Sequence, residues 1–348
     1  MKMRAVRLYA VNAFRCGETD VPVPRSKELL LRVGACGVCG SDYPRVFEKG
    51  TSNGRYPLTI GHEFAGEVVS VGEDADPSLV GRRGAVYPLI PCGRCPSCKT
   101  AHYAMCEAYD YLGSRRDGGF AEYCLIPSAW NLIPAENCGM EALAMTEPAC
   151  VAQHAVRKSG VQAGQFLVIC GAGPIGMMAA RWALLFGADV LLTDVDQNKV
   201  DFALRSGLDA INSRQEDVAA AILERNRGRL ADCAIEGTGA PTVLADCISF
   251  VRALGSIALL GNPAGDTVLP RALHSSALRK EVTICGVWNS SRAPYPVDEW
   301  SYTVRMMEEG KLVVTDLISD RLTLEELPDA MAKVRAGARK VVKMMVLP

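Results

Sequence analysis

The stretch "QFLVICGAGPIGMMAARWALLFG", residues 165–187, decides how the second half of the chain folds. Its short apolar run ends at Cys170 and is typical of a buried parallel strand. A helix is predicted next, because proline lies near its first turn and glycine at its end. The pattern G-x-G-x-x-G joins strand and helix at Gly171, Gly173 and Gly176.

Between a strand and a helix, this glycine pattern indicates a dinucleotide-binding fold. The first glycine permits a tight turn, the second lets the backbone approach a pyrophosphate, and the third lets the helix pack close to the strand. The helix N-terminus then offers free amides to the phosphates. We therefore expect the cofactor to contact the backbone at Gly171, Gly173, Pro174, Ile175 and Gly176.

Asp194 ends the next apolar run and is expected to bind the adenosine ribose. A carboxylate there accepts hydrogen bonds from ribose hydroxyls and repels the 2′-phosphate of NADP. Val195 and Asp196 follow, so no arginine is present to neutralise that phosphate. The pattern predicts NAD as cofactor, with Lys199 either near the ribose or simply solvated.

Strands and helices alternate from about residue 160 to 285, which predicts a doubly wound parallel sheet, the Rossmann arrangement. The predicted strands are "QFLVIC", "DVLLTDV", "ADCAIEGTG" and "SIALLGN". The predicted helices are "PIGMMAARWALLFG", "NKVDFALRSG", "VAAAILERN" and "PTVLADCISFVRALG". Before residue 150 the chain shows short strands, among them "AVRLYAV", "ELLLRVGAC", "FAGEVVSVG" and "GFAEYCLIP". The final strand "KVVKMMVLP" is expected to return to this first domain.

Composition and charge exclude several classes of protein. The chain has 348 residues and a formal net charge of -1 with both signs interspersed, which indicates neither nucleic acid nor a membrane surface as partner. No apolar stretch is long enough to span a bilayer, and the N-terminus lacks a signal-peptide core. A cytoplasmic location is expected, where thiols stay reduced and clustered cysteines indicate metal binding before disulfides.

Four of the 14 cysteines lie within "IPCGRCPSCKTAHYAMCE", residues 90–107, with the spacing C-x2-C-x2-C-x7-C. Short loops of this kind let successive thiolates converge on one tetrahedral Zn²⁺. Four protein ligands leave no position for substrate, so the spacing predicts a structural zinc. Its ligands would be Cys92, Cys95, Cys98 and Cys106.

A second set of possible ligands is spread over three motifs. Cys39 lies in "GVCGSDYPRVF", His62 and Glu63 in "GHEFAGEVV", and Glu147 in "MTEPAC". Together they could hold a Zn²⁺ with an open position, and Asp42 could orient the His62 ring. Spacing alone also allows ordinary core roles for a single cysteine and a single histidine.

The motifs "GHEFAGEVVSVG", "CGRCPSCKTAHYAMC", "DGGFAEY" and "GAGPIG" occur in the order and spacing of a known family. From end to end, the chain resembles the zinc-containing medium-chain alcohol and polyol dehydrogenases. The resemblance implies a chaperonin-10-like distorted β-barrel catalytic domain at 1–152 with a zinc lobe at 88–108. It also implies a Rossmann NAD-binding domain at 153–287 and a return to the catalytic domain at 288–348.

The resemblance also implies roles for individual residues. Cys39 and His62 match ligands of the catalytic zinc, and Glu147 falls where polyol dehydrogenases carry glutamate. Glu63 matches a glutamate that reaches the metal directly or through water, so Glu63 and Glu147 are both candidate catalytic groups. Ser41 matches the hydroxyl that receives the substrate proton. Sorbitol-type members carry histidine where this chain has Pro44, so the proton is expected to leave through Ser41 and water.

The implied activity is NAD-dependent oxidation of a secondary alcohol of a polyol. The stretches "CGSDYPRVF", "YDYLGSRRDGGFAEY" and "GVWNSSRAPYPVDEW" resemble members of the family that convert galactitol 1-phosphate to tagatose 6-phosphate at C5. Arginine side chains bind phosphate oxygens well, so the predicted substrate residues are Arg45, Arg115, Arg116 and Arg292. Surface ion pairs are the ordinary alternative for each arginine.

Two other functions stay open from the sequence. One is oxidation of an unphosphorylated polyol or sugar acid such as sorbitol, xylitol or L-galactonate. The other is a catalytically silent member retained for binding or structure. The family resemblance favours a homodimer or homotetramer joined through Rossmann edge strands, for which "EVTICGVW" is the candidate.

Overall fold

The computed structural model describes all 348 residues and divides into two compact units. The first unit comprises Met1–Pro148 and Ser291–Pro348, and the second comprises Ala149–Ser290. These junctions lie a few residues from the expected ones at 152/153 and 287/288. Every helix is too short or too polar to cross a lipid bilayer.

The first stretch of chain is built mainly of short strands. Its strands are β1 (Lys2–Ala10), β2 (Ala13–Asp20), β3 (Leu29–Gly37), β4 (Leu58–Thr59), β5 (Glu63–Val71), β6 (Arg83–Val86), β7 (Leu89–Ile90), β8 (Asp110–Tyr111), β9 (Tyr123–Ile126) and β10 (Leu132–Pro134). Its helices are α1 (Asp42–Pro44), α2 (Pro96–Lys99) and α3 (Met140–Ala144). A π-helical turn, Arg45–Lys49, continues α1.

Longer helices then alternate with strands, as the sequence predicts. The helices are α4 (Thr146–Ser159), α5 (Pro174–Leu185), α6 (Gln197–Arg205), α7 (Val218–Arg225), α8 (Val243–Phe250) and α9 (Arg271–Lys280). The strands are β11 (Phe166–Cys170), β12 (Asp189–Asp194), β13 (Ala210–Asn212), β14 (Ala231–Glu236), β15 (Val251–Leu259) and β16 (Thr283–Gly286). The chain ends with α10 (Glu299–Glu308), β17 (Ile318–Leu322), α11 (Leu327–Arg335) and β18 (Lys343–Val346).

The second unit carries one six-stranded sheet in the order β13-β12-β11-β14-β15-β16, with every neighbouring pair parallel. This order is that of a doubly wound dinucleotide-binding sheet, so the prediction for this region is confirmed. Its core contains Val168, Leu191 and Ile257, all fully buried. Burying each such side chain contributes about 1.5–3 kcal/mol.

One predicted helix is wrong in its second half. The apolar stretch "PTVLADCISFVRALG" reads as one helix, but α8 ends at Phe250 and β15 begins at Val251. Val251 pairs with Ala231 of β14, and the register shifts before Ser256 pairs with Cys233. Leu254 has a positive φ within this irregular segment. Pairing with β14 therefore outweighs the helical preference of these residues.

In the first unit, β3 lies at the centre of a seven-stranded sheet. β3 pairs with β5 through Gly37 and Glu63, and with β18 through Gly37 and Met345. Cys39 therefore follows the end of β3, where the neighbouring strands β5 and β18 carry Glu63 and Lys343. The predicted return of the C-terminal strand to the first domain is thus seen in β18.

Candidate metal centres and cofactor site

The four lobe cysteines lie together between β7 and β8. Their sulfur atoms all lie within 4.8 Å of one another. β7 and β8 pair with each other, which closes the base of the lobe. The backbone N–H of Cys92 donates to Cys106 Sγ at 3.2 Å, and the sulfur atoms of Cys92 and Cys98 are 3.9 Å apart.

Backbone amides lower the pKa of two of these thiols. The amides of Arg94 and Cys95 lower the pKa of Cys92 to about 6. Amides of Glu107 and Cys98 lower the pKa of Cys95, whereas burial raises the pKa of Cys98 to about 12. Thiolates are the zinc-binding form of cysteine, so four converging sulfurs and inward-pointing amides fit one Zn²⁺.

A second donor group forms where β3, β5 and the segment between β3 and α1 meet. One ligand atom each of Cys39, His62 and Glu63 lies within 4.8 Å of the other two. Sulfur, imidazole nitrogen and carboxylate oxygen are the three ligand types that zinc accepts. His62 Nδ1 is buried without a hydrogen-bond partner, 3.7 Å from Asp42 Oδ1.

Asp42 is completely buried and fixes the segment that carries Cys39. Its Oδ2 accepts the Cys39 N–H at 3.0 Å, and its Oδ1 accepts from Arg45 at 3.1 Å. Arg45 thus reaches inward to a carboxylate. The Ser41 hydroxyl donates to Cys39 Sγ at 3.3 Å, and Ser41 is partly exposed.

Glu147 lies in the first turn of α4, near the same group. Its carboxylate is not among the three ligand atoms that lie within 4.8 Å of one another. It is buried, and its Oε1 accepts a hydrogen bond from the Tyr111 hydroxyl at 3.3 Å. Burial raises the pKa of Glu147 to about 7, and the charge of His62 acts in the opposite direction. No sequence pattern indicated that Tyr111 would contact Glu147.

The second carboxylate, Glu63, has a cationic partner. The buried ammonium of Lys343 forms an ion pair with Glu63 Oε2 and donates to the Val38 carbonyl at 2.9 Å. Sequence reasoning missed Lys343 because β18 lies far from Glu63 along the chain. Its only signal was a lysine inside an otherwise apolar strand.

The charges of this region fit a divalent cation. Three carboxyl groups and one thiol, those of Asp42, Glu63, Glu147 and Cys39, lie near two buried or half-buried basic side chains, Lys343 and Arg45. Burial lowers the pKa of the His62 imidazole, but the charges of Cys39 and Asp42 outweigh it and raise that pKa to about 10. Surroundings that favour a proton on His62 favour positive charge, which fits a cation at the three donors.

The glycine-rich turn of the second unit has the expected form. Gly171 has φ +109°, and a Cβ on Gly176 would lie 1.9 Å from the Gly171 carbonyl, so only glycine fits there. α5 then begins at Pro174, followed by Ile175, with Gly173 as the preceding residue. A pocket of about 450 Å³ adjoins this turn, lined in part by Gly171, Thr193, Asp194, Glu216, Asp217 and Asp246.

Asp194 lines that pocket and is held by several hydrogen bonds. Its Oδ2 accepts the Ala172 N–H at 2.9 Å and lies 3.4 Å from Lys199 Nζ. Its Oδ1 accepts the Asp196 N–H at 2.9 Å. A carboxylate has about four acceptor sites, so Asp194 keeps capacity for one further hydroxyl donor.

The four predicted substrate arginines do not converge. Arg115 and Arg116 line one pocket of about 420 Å³ with Arg7 and Arg55, and neither Arg45 nor Arg292 borders it. Arg116 pairs with Asp110, and Arg115 covers the ring of Tyr109 at 4.0 Å. Arg292 pairs with Asp298 and donates to the Trp130 carbonyl.

Known proteins show the same two-part organisation. The protein-family model "Alcohol dehydrogenase GroES-like domain" matches residues 25–137, and the family model "Zinc-binding dehydrogenase" matches residues 174–309. Galactitol 1-phosphate 5-dehydrogenase of Escherichia coli (strain K12) is 31% identical over 337 residues, 96% of each chain. The crystal structure of galactitol-1-phosphate dehydrogenase from Escherichia coli gives a TM-score of 0.91, covering 99% of this chain and 100% of that one.

Two further relatives are similar over their whole length. Sorbitol dehydrogenase of Bacillus subtilis (strain 168) is 30% identical, covering 99% of this chain and 97% of that protein. A zinc-binding dehydrogenase from Sinorhizobium meliloti 1021, solved bound to NADP, is 29% identical with a TM-score of 0.89 and full coverage of both chains. The chain has a GroES-like domain and a doubly wound sheet, and each matches a family model. It therefore belongs to the zinc-binding alcohol dehydrogenase family, whose members are oxidoreductases that act on CH–OH groups.

Proposed function

We propose that the protein is a zinc-dependent dehydrogenase that oxidises a secondary alcohol of a polyol with NAD as acceptor. The observation that carries the proposal is the convergence of Cys39, His62 and Glu63, with Glu147 beside them, in a first unit that also holds a four-cysteine lobe. Each chain would bind two Zn²⁺ ions. Metal analysis of the purified protein tests this directly, and one zinc or fewer per fully loaded chain would contradict it.

Zn²⁺ supplies a Lewis acid that polarises the substrate hydroxyl, and NAD supplies the hydride acceptor. The chain's own residues orient the site and move the proton. The Asp42 carboxylate holds the Cys39 segment by accepting the backbone N–H of Cys39, and it faces the His62 ring. The Ser41 hydroxyl, beside Cys39 and partly exposed, would take the substrate proton and pass it to water, because Pro44 offers no ionisable group.

NAD is proposed over NADP because the adenosine end of the pocket is acidic. Asp194, Glu216, Asp217 and Asp246 all line it, and Lys199 is held 3.4 Å from Asp194. A 2′-phosphate would lose ribose hydrogen bonds and meet like charge, a discrimination on the order of 10²-fold or more. Steady-state kinetics with both cofactors decide this; equal kcat/KM would remove the role assigned to Asp194.

Galactitol 1-phosphate, oxidised at C5 to tagatose 6-phosphate, is the proposed substrate. The 31% identity to galactitol 1-phosphate 5-dehydrogenase over almost the whole chain supports it. Arg115 and Arg116 share a pocket with two further arginines and four acidic residues, so a phosphate there would depend on contacts with individual arginines. Remote phosphate binding would hold the reacting carbon in place. The test compares kcat/KM for galactitol 1-phosphate, galactitol, sorbitol and L-galactonate; equal values would end the phosphate proposal.

An unphosphorylated polyol is the second candidate, and the arginine contacts favour it. Arg45, Arg116 and Arg292 each form an ion pair within the chain, which reduces their availability to a phosphate. The same substrate panel separates the two candidates. No NADH production with any polyol or sugar acid would instead indicate a catalytically silent member. Separate alanine variants of Arg45, Arg115, Arg116 and Arg292 then locate or exclude the phosphate contacts.

We further propose a homodimer or homotetramer joined through the sheet edge of the second unit. β16 is the terminal strand of the six-stranded sheet, and Ile284 on it is exposed. An open edge with an apolar side chain is suited to pairing with a second copy. Size-exclusion chromatography with light scattering tests this. Because thiolate ligands require reduced cysteines, the proposal also places the enzyme in a reducing compartment, the cytoplasm.

A further inference from the structure

Tyr111 contacts the donor group on two sides. Its hydroxyl donates to Glu147 Oε1 at 3.3 Å. Its ring lies edge-on to the His62 imidazole, with ring centroids 5.9 Å apart and planes inclined by 65°. Tyr111 therefore contacts both His62 and Glu147, which lie far apart in sequence.

The backbone of Tyr111 is firmly held. Its carbonyl accepts the N–H groups of Arg115 at 2.9 Å and Arg116 at 3.0 Å. Its strand pairs with β7 through Leu89. A tyrosine ring has only two rotatable bonds, so a fixed backbone places the hydroxyl with little residual freedom.

The arginines of the "GSRRDGG" stretch strengthen this loop. Arg116 pairs with Asp110, whose Oδ1 lies 2.9 Å from the Tyr111 N–H. Arg115 covers the Tyr109 ring, and that ring packs edge-on against Tyr111 with centroids 6.2 Å apart. The side chains of both arginines therefore contact residues of the segment that carries Tyr111 and help to hold it in place.

The two carboxylates of the donor group have partners of different charge. Glu63 is paired with an ammonium group, whereas Glu147 receives a neutral hydroxyl. A hydroxyl donor fixes the orientation of a carboxylate without cancelling its charge. Groups of this kind behind a metal ligand typically change metal affinity or activity by about 10–100-fold when removed.

We propose that Tyr111 is a positioning residue for Glu147: it binds one carboxylate oxygen and leaves the other for the catalytic zinc. The inference rests on the metal site of the proposed function. The conservative variant Tyr111→Phe removes the hydroxyl and keeps the ring that packs on His62. Tyr109→Phe is the matched control, because it removes a hydroxyl from the neighbouring ring in the same loop.

The experiment measures zinc release to a chelator and the visible absorption of the Co²⁺-substituted protein, both without substrate. Tyr111→Phe should release one of its two zinc ions about 10–100-fold more readily and shift the cobalt bands, while Tyr109→Phe should match wild type. Both variants should melt close to the wild-type temperature, since both keep their rings.

Zinc release and cobalt bands in Tyr111→Phe that equal those of Tyr109→Phe would overturn the inference. A changed metal site in a protein that oxidises no alcohol would uphold the inference and remove the proposed function. Conversely, an active dehydrogenase whose zinc release and cobalt bands are unaltered by Tyr111→Phe would retain the function and remove the inference.

Discussion

The two cysteine-containing donor groups of the first unit are assembled in opposite ways. The lobe would take its four proposed ligands from one segment, residues 92–106, and they are chemically identical. The second group draws on Cys39, the His62–Glu63 pair and Glu147, which only the pairing of β3 with β5 and the start of α4 bring together. A local spacing can specify the lobe, whereas the second group depends on the whole first unit being folded.

The two groups also balance charge differently. In the lobe, backbone amides stabilise the thiolates of Cys92 and Cys95. In the second group, buried or half-buried side-chain cations instead stabilise carboxylates, since Lys343 pairs with Glu63 and Arg45 with Asp42. The lobe should therefore respond mainly to changes in its own ligands and turns, and the second group to residues far away in sequence.

The largest expected effect is on activity and comes from His62→Ala. Removal of the imidazole would eliminate a proposed ligand of the catalytic zinc, and with it several kcal/mol of charge stabilisation. The kcat/KM should fall by about 10³-fold or more. The melting temperature should change little, because the lobe keeps all four ligands. If stability collapses together with activity, the proposed separation between a catalytic and a structural metal site is wrong.

Lys343→Met tests how far the second group depends on a distant residue. The change leaves Glu63 buried without its cation, and breaking such a pair costs about 3–5 kcal/mol of unfolding free energy. Lys343→Arg retains the charge and is the control. Urea unfolding of both variants measures the difference. Equal stability of Lys343→Met and wild type would mean that Glu63 needs no cation and would weaken the contrast between the sites.

Cys95→Ser addresses the lobe. Loss of one of four thiolates removes metal-binding free energy from the folded state, so the melting temperature should fall by roughly 5 °C. Cys16→Ser, at a partly buried cysteine outside both groups, should leave it unchanged. Activity per folded molecule should survive in both variants. An unaltered melting temperature for Cys95→Ser would mean that the lobe contributes no stability.

This contrast explains what the sequence could predict. The lobe ligands follow from spacing alone, because tetrahedral zinc imposes short loops between thiolates. The turn from Gly171 to Gly176 follows from its place between a strand and a helix. Cys39, His62 and Glu147 required resemblance to a family, since nothing local reveals which strands become neighbours.

Other features could not be predicted because tertiary contacts decide them. Val251 continues an apolar helical pattern, yet it pairs with Ala231 in the parallel sheet. Lys343 reads as an ordinary strand residue until β18 is placed beside β3. Tyr111 carries no motif, and its role depends on a hydrogen bond across 36 sequence positions.

The smallest expected effect comes from Gly93→Ala and tests whether the lobe tolerates strain in its own turn. Gly93 has φ +71°, and an added Cβ would meet nothing within 4 Å, so the change adds backbone strain of about 1–2 kcal/mol and no steric clash. Gly54→Ala is a matched control, with the same φ and the same open space outside both donor groups. If the thiolates and zinc hold the lobe together, both variants should lose similar stability in urea and both should retain two zinc ions. Loss of one zinc in Gly93→Ala alone would show that the turn, as well as the ligand spacing, is required to bring the thiolates together.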